Sequence, residues 1–291
     1  MINEAFNFAN LGDEFYTRIG DIQNEMSHYD LSNMVVYCNC DDPRYSNFYK
    51  YFKGNFKKLG LRGLLATYKS NNPILFEYDG TNEKKTPIDS GNFQDNNTIV
   101  DMCDIVVTNP PFSNKMVIDL IDTLLNKGKK FIIVGPLHLI NKDKIFNYFK
   151  EGLINVGYSS INRYATEDGG GQGSPTCWWT NLEVNKPFFK TNYTYDEEIY
   201  PKYDNCDAID STYKEMIPSD YNGVIGTSIR FIINYNREQF DLVGKLDDPR
   251  INGKKLYTRL LIKHKNVNEN KKKIVIIREE KFNKIFQTQK K

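Results

Sequence analysis

Four consecutive residues, Asn109-Pro110-Pro111-Phe112, place an amide, two prolines and an aromatic ring in an order that could do chemistry. They follow Asp104-Ile105-Val106-Val107-Thr108, an apolar run that predicts a buried strand. Because proline has a fixed φ and no N–H, such a corner is rigid and presents its carbonyl oxygens as acceptors. The Asn109 side-chain oxygen and the Pro110 carbonyl could accept both hydrogens of an exocyclic aromatic amine, and Phe112 could stack on its ring.

An aromatic amine such as adenine N6 is a weak nucleophile, because its lone pair is delocalised into the ring. Two acceptors facing its hydrogens would draw the nitrogen towards tetrahedral geometry and release that lone pair for attack on a methyl group. The work is then mostly positioning and preorganised dipoles, and it needs no strong general base. The motif therefore predicts methyl transfer to an extruded base. The alternative is a Pro-Pro turn that only ends a strand.

A second polar corner, Asn39-Cys40-Asp41-Asp42, also follows an apolar run, Met34-Val35-Val36-Tyr37-Cys38. Its carboxylates could accept from the ammonium or ribose hydroxyls of a cofactor, although a helix cap at Asp41 or Asp42 would use the same residue types. In open α/β sheets, ligands bind beyond the carboxyl ends of the strands, near the point where the strand order reverses. We therefore expect the two corners to lie side by side.

Alternation of strands and helices predicts the sheet that would position both corners. Helices are predicted over residues 48–59, 115–126 and 143–151, and within 13–29 after a short extended piece; strands are predicted over 34–38, 63–68, 74–78, 105–108, 130–134, 160–164 and 176–180. This pattern favours a Rossmann-like α/β fold, with a mostly parallel sheet and helices on both faces.

The character of the chain changes near Pro187, beyond which Tyr, Asn and Asp are frequent and long apolar runs are few. We place one domain over residues 1–189 and a smaller region over 190–291. Strand-like segments of the smaller region are predicted at residues 228–233, 256–262 and 274–277.

Charge is unevenly distributed in this chain of 291 residues, whose net charge is only +2. Residues 245–291 hold 15 Lys and Arg against 5 Asp and Glu, so a basic end could contact a polyanion. On a strand, Arg259 and Lys263 would share a face, and with Lys254 they are the candidate phosphate contacts. A solvated edge strand is the alternative.

Cysteines and histidines give no sign of a disulfide framework or a metal site. The five cysteines form no paired pattern, the three histidines are far apart, and Cys38 and Cys40 are more simply explained as strand thiols. The amino terminus has no signal-peptide pattern, and no apolar run is long enough for a membrane span. We expect a reduced, cytoplasmic protein without a metal.

Several motifs together resemble those of the EcoRI-type adenine-specific DNA methyltransferases. Besides the two corners, they are Asp13-Glu14-Phe15-Tyr16-Thr17, Gly91-Asn92-Phe93, Cys177-Trp178-Trp179-Thr180-Asn181-Leu182 and Tyr200-Pro201-Lys202-Tyr203-Asp204-Asn205. The Asn-Pro-Pro-Phe element belongs to amino-methyltransferases in general, and the others make the match specific. The resemblance extends from about residue 10 to about residue 265.

The resemblance implies a Rossmann-like domain that binds S-adenosylmethionine and methylates N6 of a flipped adenine in double-stranded DNA. It also implies a target-recognition region over residues 190–291 and the setting of a restriction-modification system, in which a cognate restriction endonuclease shares the site. The residues that it assigns to the cofactor are Phe15, Tyr16, Thr17, Asn39, Cys40, Asp41, Asn92 and Phe93.

Two departures from the family pattern concern the cofactor. The position of Asn92 is often Asp in the family, so a charge is missing here. Many methyltransferases also carry an acid at the end of the second strand, where this chain has Ala66-Thr67-Tyr68. Glu77 and Asp79 are then candidates for the ribose hydroxyls.

Two other functions remain open on the sequence alone. Asn-Pro-Pro also serves methyltransferases that act on RNA or on protein amines. A catalytically idle DNA-binding protein could keep the same fold, although the intact Asn109-Pro110-Pro111-Phe112 argues against it.

Overall fold

The computed structural model describes residues 17–92, 94–111, 113–161 and 175–266. The chain divides after Val184 into two compact units, a few residues before the boundary expected from composition. None of the helices in the described ranges is long and apolar enough to cross a membrane.

A mixed sheet of eight strands forms the centre of the first unit. The strands are β1 (Val35–Cys38), β2 (Gly63–Ala66), β3 (Ile74–Tyr78), β4 (Glu83–Pro87), β5 (Ile105–Thr108), β6 (Lys130–Pro136), β7 (Asn155–Ile161) and β8 (Thr176–Thr180). Their order across the sheet is β4-β3-β2-β1-β5-β6-β8-β7. The four central strands β2, β1, β5 and β6 are parallel, whereas β3 and β8 are antiparallel to their neighbours. The expected parallel sheet is thus found at the centre, and the edges are mixed.

The described residues of the first unit also form five α-helices. They are α1 (Ile19–Met26), α2 (Asn47–Gly54), α3 (Asn97–Met102), α4 (Asn114–Asn126) and α5 (Asp143–Glu151), and a 3-10 helix, Leu137–Asn141, follows β6. Helix α2 begins after Ser46, whose hydroxyl accepts from the N–H groups of Phe48 and Tyr49. Helix α5 ends at Gly152, where a φ of 82° suits a residue without a Cβ.

Helices cover both faces of the sheet. On one face, α1 and α2 pack through a buried cluster that includes Ile22 and Phe52. On the other face, a Cβ added at Gly135 of β6 would lie 2.8 Å from the Trp179 ring and 3.4 Å from Val117 of α4. Only glycine therefore lets the strand, the indole and the helix approach so closely.

Strands dominate the second unit, and its described part contains no α-helix. They are β9 (Lys202–Tyr203), β10 (Cys206–Ser211), β11 (Ile225–Ser228), β12 (Phe240–Leu246), β13 (Arg250–Ile251), β14 (Lys254–Lys255) and β15 (Arg259–His264), with 3-10 helices at Lys214–Met216 and Ile229–Ile233. Five of the strands form a sheet in the order β12-β15-β11-β10-β9, and β13 pairs with β14 as a separate hairpin.

The hydrophobic pattern predicted the first unit better than the second. The strands at 74–78, 105–108 and 176–180 and the helix at 143–151 are confirmed at their predicted bounds. The strand predicted over 228–233 is wrong, because the chain turns there into the 3-10 helix Ile229–Ile233, where the Ser228 hydroxyl accepts from the Arg230 N–H. A short apolar run does not distinguish strand from helix. The predicted segment 256–262 becomes a strand only at Arg259, and segment 274–277 lies outside the described residues.

Candidate active site

The two polar corners meet at the switch point of the first sheet. Strands β1 and β5 are parallel neighbours, with Val36 opposite Ile105 and Tyr37 opposite Val106. From β1 the chain proceeds to β2 on one side and later returns to β5 on the other. The carboxyl ends of β1 and β5 therefore flank the crevice in which open α/β sheets bind ligands.

Asp41 ties these two strand ends together. Its buried carboxylate accepts from the Thr108 hydroxyl at 2.8 Å and from the Ser46 hydroxyl at 2.7 Å. Its backbone N–H donates to the Thr67 carbonyl at 3.2 Å, so the corner is also bound to the segment after β2. The helix cap is Ser46 rather than Asp41 or Asp42. Asp41 thus connects the end of β1, the start of α2 and the last residue of β5.

Asn39 carries a polar side chain in the interior of the first unit. The residue is fully buried, and neither its Oδ1 nor its Nδ2 has a hydrogen-bond partner among the described residues. The buried Thr17 hydroxyl also has no hydrogen-bond partner among the described residues. The Thr17 carbonyl accepts from Asn47 Nδ2 at 2.9 Å. Leaving such groups unpaired costs about 1–3 kcal/mol each. The Asn39 amide can donate and accept hydrogen bonds, and the Thr17 hydroxyl can too. These groups therefore fit a polar ligand such as a cofactor bound at this corner.

The second corner leads directly into α4. Asn109 is half-buried, Pro110 is buried and Pro111 is exposed. Neither proline contributes an N–H group to the turn. Phe112 lies outside the described residues, as do Phe15, Tyr16 and Phe93.

A close backbone contact brings the Asn92 loop to the end of β2. A Cβ at Gly91 would lie 2.1 Å from the Tyr68 carbonyl oxygen, so only glycine allows this approach. Asn92 is exposed, and its Nδ2 donates to Asp95 Oδ2 at 3.3 Å. Hydrogen bonds from Ser90 and Asn92 lower the pKa of the Asp95 carboxyl. The loop therefore holds the ionised carboxylate of Asp95 beside Asn92, the position at which the family often has Asp.

The two acids considered for the ribose lie elsewhere. Because β3 is antiparallel to β2, with Tyr78 opposite Leu64, the chain leaves β3 at the edge of the sheet opposite to the two corners. Asp79 accepts from the N–H groups of the turn that follows β3. Glu77 forms an ion pair with Lys84 across the β3–β4 hairpin. Both acids therefore serve the hairpin, and the expectation for the ribose is not supported.

The cysteines of both units are thiols. The five cysteines form no disulfide; Cys40 and Cys206 are half-buried, and the others are buried. Burial raises the pKa of the Cys38 thiol well above its usual value, and it raises the pKa of Cys103 to about 12. Among the described residues, no group of three His, Cys, Asp or Glu side chains could hold a metal ion.

In the second unit, Arg259 is an internal residue. It is 5% exposed, and its Nε pairs with Asp210 Oδ1 at 2.9 Å. Its Nη1 donates to the Tyr257 carbonyl and its Nη2 to the Thr212 hydroxyl, both at 2.8 Å. All three of its nitrogens are hydrogen-bonded inside the unit and the side chain is buried, so Arg259 is a structural ion-pair partner and not a phosphate contact.

The three cations predicted to contact phosphate differ in their exposure to solvent. Lys254 is exposed on the β13–β14 hairpin, whereas Lys263 is half-buried on β15 opposite Asp241. Only Lys254 combines exposure with the absence of an ion pair within the described part of the chain.

One family model matches the chain over residues 5–90 and 84–290, and its description is adenine-specific methyltransferase EcoRI. The chain belongs to this family. It is 39% identical to the type II methyltransferase M.EcoRI of Escherichia coli, over 88% of this chain and 94% of that protein. It is 32% identical to M.MgeORF184P of Mycoplasma genitalium and 31% identical to M.MpnI of Mycoplasma pneumoniae, each over 87% of this chain and at least 95% of the relative. No solved structure gives a significant match.

Membership in the EcoRI family confirms the resemblance expected from the motifs, and the match covers both compact units. The structure adds residues of this EcoRI-type methyltransferase that the sequence did not indicate. His138 Nε2 lies 3.0 Å from Asn114 Oδ1 and so links the end of β6 to the first residue of α4. Burial, with Lys142 nearby, lowers the pKa of His138. Asp95 is the other addition. His138 follows β6 and Asp95 follows β4, and both strands end at the sheet edge that carries the two corners. This position in the chain is the signal that could have identified the two residues.

Proposed function

We propose that this EcoRI-type methyltransferase transfers a methyl group from S-adenosylmethionine to N6 of an adenine at a specific site in duplex DNA. The observation that carries the proposal is the hydrogen bond from the Thr108 hydroxyl to the Asp41 carboxylate. It joins the ends of β5 and β1, and so it fixes the Asn39–Asp41 corner next to the Asn109 corner. A cofactor wall and an amine-binding corner side by side are what amine methylation needs.

S-adenosylmethionine, when bound, supplies a methyl group activated by a positively charged sulfur. The Asn39 amide and the Thr17 hydroxyl are buried and have no hydrogen-bond partner among the described residues, and they would bind its polar parts. Asp41 would hold the wall in place through its two hydroxyl donors. Asp95, ionised beside Asn92, would supply the charge that Asn92 lacks.

Asn109 and Pro110 would orient the target amine. The Asn109 side-chain oxygen and the Pro110 carbonyl would accept its two hydrogens, which directs the nitrogen lone pair towards the methyl group. Phe112 would stack on the extruded base. Positioning and fixed dipoles then supply the catalysis, and no strong base is required.

The partner that we propose is double-stranded DNA, bound in part by the second unit. The relatives are named type II methyltransferases, and this supports a place in a restriction-modification system. A cognate endonuclease would then cut the same site when it is unmethylated, without any need to form a complex with this chain.

Transfer of a tritiated methyl group to duplex DNA, to RNA and to protein tests the substrate class. We expect label in duplex DNA alone, and methylation-sensitive sequencing of that DNA should show N6-methyladenine at one short site. Label in RNA or protein but not in DNA would contradict the proposal.

The Asn109→Ala variant tests the mechanism. Removing one preorganised polar contact from a reaction centre typically lowers kcat about 100- to 1,000-fold, and we expect a loss of this size with cofactor affinity largely kept. Asn126→Ala, which changes an exposed asparagine at the end of α4, is the matched control and should turn over normally. Normal turnover in Asn109→Ala would refute the role of the corner.

A further inference from the structure

The hairpin formed by β13 and β14 has a defined two-residue tip. Ile251 pairs with Lys254 and Arg250 with Lys255, which leaves Asn252 and Gly253 as the turn. Their φ angles are 50° and 73°, the left-handed values of a type I′ turn. Asn and Gly are the residues that adopt this conformation most readily, so the tip matches its own sequence.

Asp204 and Asn205, in the turn between β9 and β10, form hydrogen bonds with this hairpin. Asp204 Oδ1 accepts from the Asn252 N–H at 3.0 Å and Oδ2 from the Gly253 N–H at 2.7 Å. The backbone N–H of Asp204 donates to the Arg250 carbonyl at 2.7 Å. Asn205 Nδ2 donates to the Asp248 carbonyl at 2.8 Å. Asp204 and Asn205 close the Tyr200–Asn205 motif, whose role is thus to fix a hairpin in advance of any ligand.

The chain leaving the hairpin is fixed as well. Tyr257, whose side chain is 90% exposed, has its backbone carbonyl bound by the buried Arg259 guanidinium. The ion pair between Arg259 and Asp210 anchors that contact in the sheet. A surface hairpin whose tip is bound by Asp204 and whose outgoing chain is bound by the buried Arg259 is more rigid than its own short strands would allow.

The exposed side chains of the two hairpin strands are basic. Arg250 and Lys255 both pair with Asp248, at 2.9 and 3.1 Å. Lys254, beside the tip, is exposed and has no ion pair among the described residues. The Asn252 side chain at the tip is exposed too. An amide and a free cation are thus presented on adjacent parts of one rigid element.

We propose that the β13–β14 hairpin enters the major groove of the DNA, where Asn252 contacts a base edge and Lys254 contacts a phosphate. The major groove admits a two-stranded β-ribbon, and an Asn side chain can both donate to and accept from a base edge there. Phosphate contacts position such an element, and base contacts specify the sequence. This inference rests on the proposed function, because it takes duplex DNA as the substrate.

Asn252→Gly tests the base contact without disturbing the turn, because Gly-Gly also forms a type I′ turn. We expect kcat/KM on the cognate site to fall about 5- to 100-fold, the range for loss of one base contact. Discrimination at a single base pair should relax, measured by methylation of a DNA library randomised one position at a time. The salt dependence of DNA affinity should not change.

Lys254→Gln tests the phosphate contact. We expect weaker binding to all sequences and a slope of log affinity against log salt reduced by about 1, with discrimination unchanged. Lys130→Gln, at the start of β6 and therefore at the sheet edge away from the corners, is the matched control and should alter neither quantity.

The methylation assays distinguish failure of the proposed function from failure of the hairpin contacts. If the unmodified protein transfers no labelled methyl group to DNA, the proposed function is refuted. If it methylates DNA and a folded Asn252→Gly variant keeps full discrimination at every position, the base contact is refuted. An unchanged salt slope in Lys254→Gln would refute the phosphate contact.

Discussion

Residue type identified two candidate regions: the carboxyl ends of β1 and β5, and the basic end of the second unit. The two regions differ in how their polar side chains are buried and paired. At the strand edge, Asp41 is buried and hydrogen-bonded to Thr108 and Ser46, whereas the buried Asn39 amide and Thr17 hydroxyl have no partner within the described ranges. At the basic end, Arg259 is buried and paired with Asp210, and Lys254 is exposed on a separate hairpin. The place of a residue in the fold, more than its charge, therefore decides whether it is available to a ligand.

The largest effect is expected from Arg259→Gln, which would remove one partner of a buried ion pair. Breaking such a pair typically lowers the free energy of unfolding by about 3–5 kcal/mol, and urea denaturation would measure it. At a temperature where the variant is still folded, the salt dependence of DNA affinity should match that of the unmodified protein.

Lys254→Gln is the contrasting variant for the same measurements, since it should leave stability unchanged and reduce the salt slope. If Arg259→Gln reduced the slope without loss of stability, the difference drawn between these two cations would be refuted.

A smaller effect is expected from Thr108→Val, which keeps the shape of the side chain and removes its hydroxyl. A hydrogen bond to a charged group contributes about 1.5–3 kcal/mol, so the free energy of unfolding should fall by that amount. Affinity for S-adenosylmethionine, measured by calorimetry, should fall with it because Asp41 is less firmly held. Thr108→Ser keeps the hydroxyl and should restore both; failure of Ser to do so would show that the bond to Asp41 is not the cause.

The smallest effect on stability is expected from Asn39→Ala. The lost packing is offset by removal of two unpaired buried groups, so the free energy of unfolding should change by less than about 1 kcal/mol. Affinity for S-adenosylmethionine should nevertheless fall about tenfold, the equivalent of roughly one or two hydrogen bonds. A variant that lost stability but kept cofactor affinity would make Asn39 a structural residue.

Much of the first unit could be predicted because its central strands are short apolar runs, and those of β1 and β5 are followed by polar corners. Strand β5 and helix α5 were found at their predicted bounds, and the carboxyl ends of parallel strands share one edge for topological reasons. The direction of β3 could not be predicted, since an antiparallel strand has the same residue pattern, and Glu77 and Asp79 were considered for the ribose for that reason. Arg259 could not be recognised as internal because its partner Asp210 is 49 positions away in the chain.

The distribution of thiols has a practical consequence. Three of the five cysteines are buried, and the two half-buried ones, Cys40 and Cys206, lie in different compact units. Cys40 belongs to the corner after β1, and Cys206 begins β10, directly after the turn that supports the hairpin. Site-selective labelling with a small thiol reagent could therefore follow each unit separately, with spectroscopic probes placed beside both proposed sites and without any engineered cysteine.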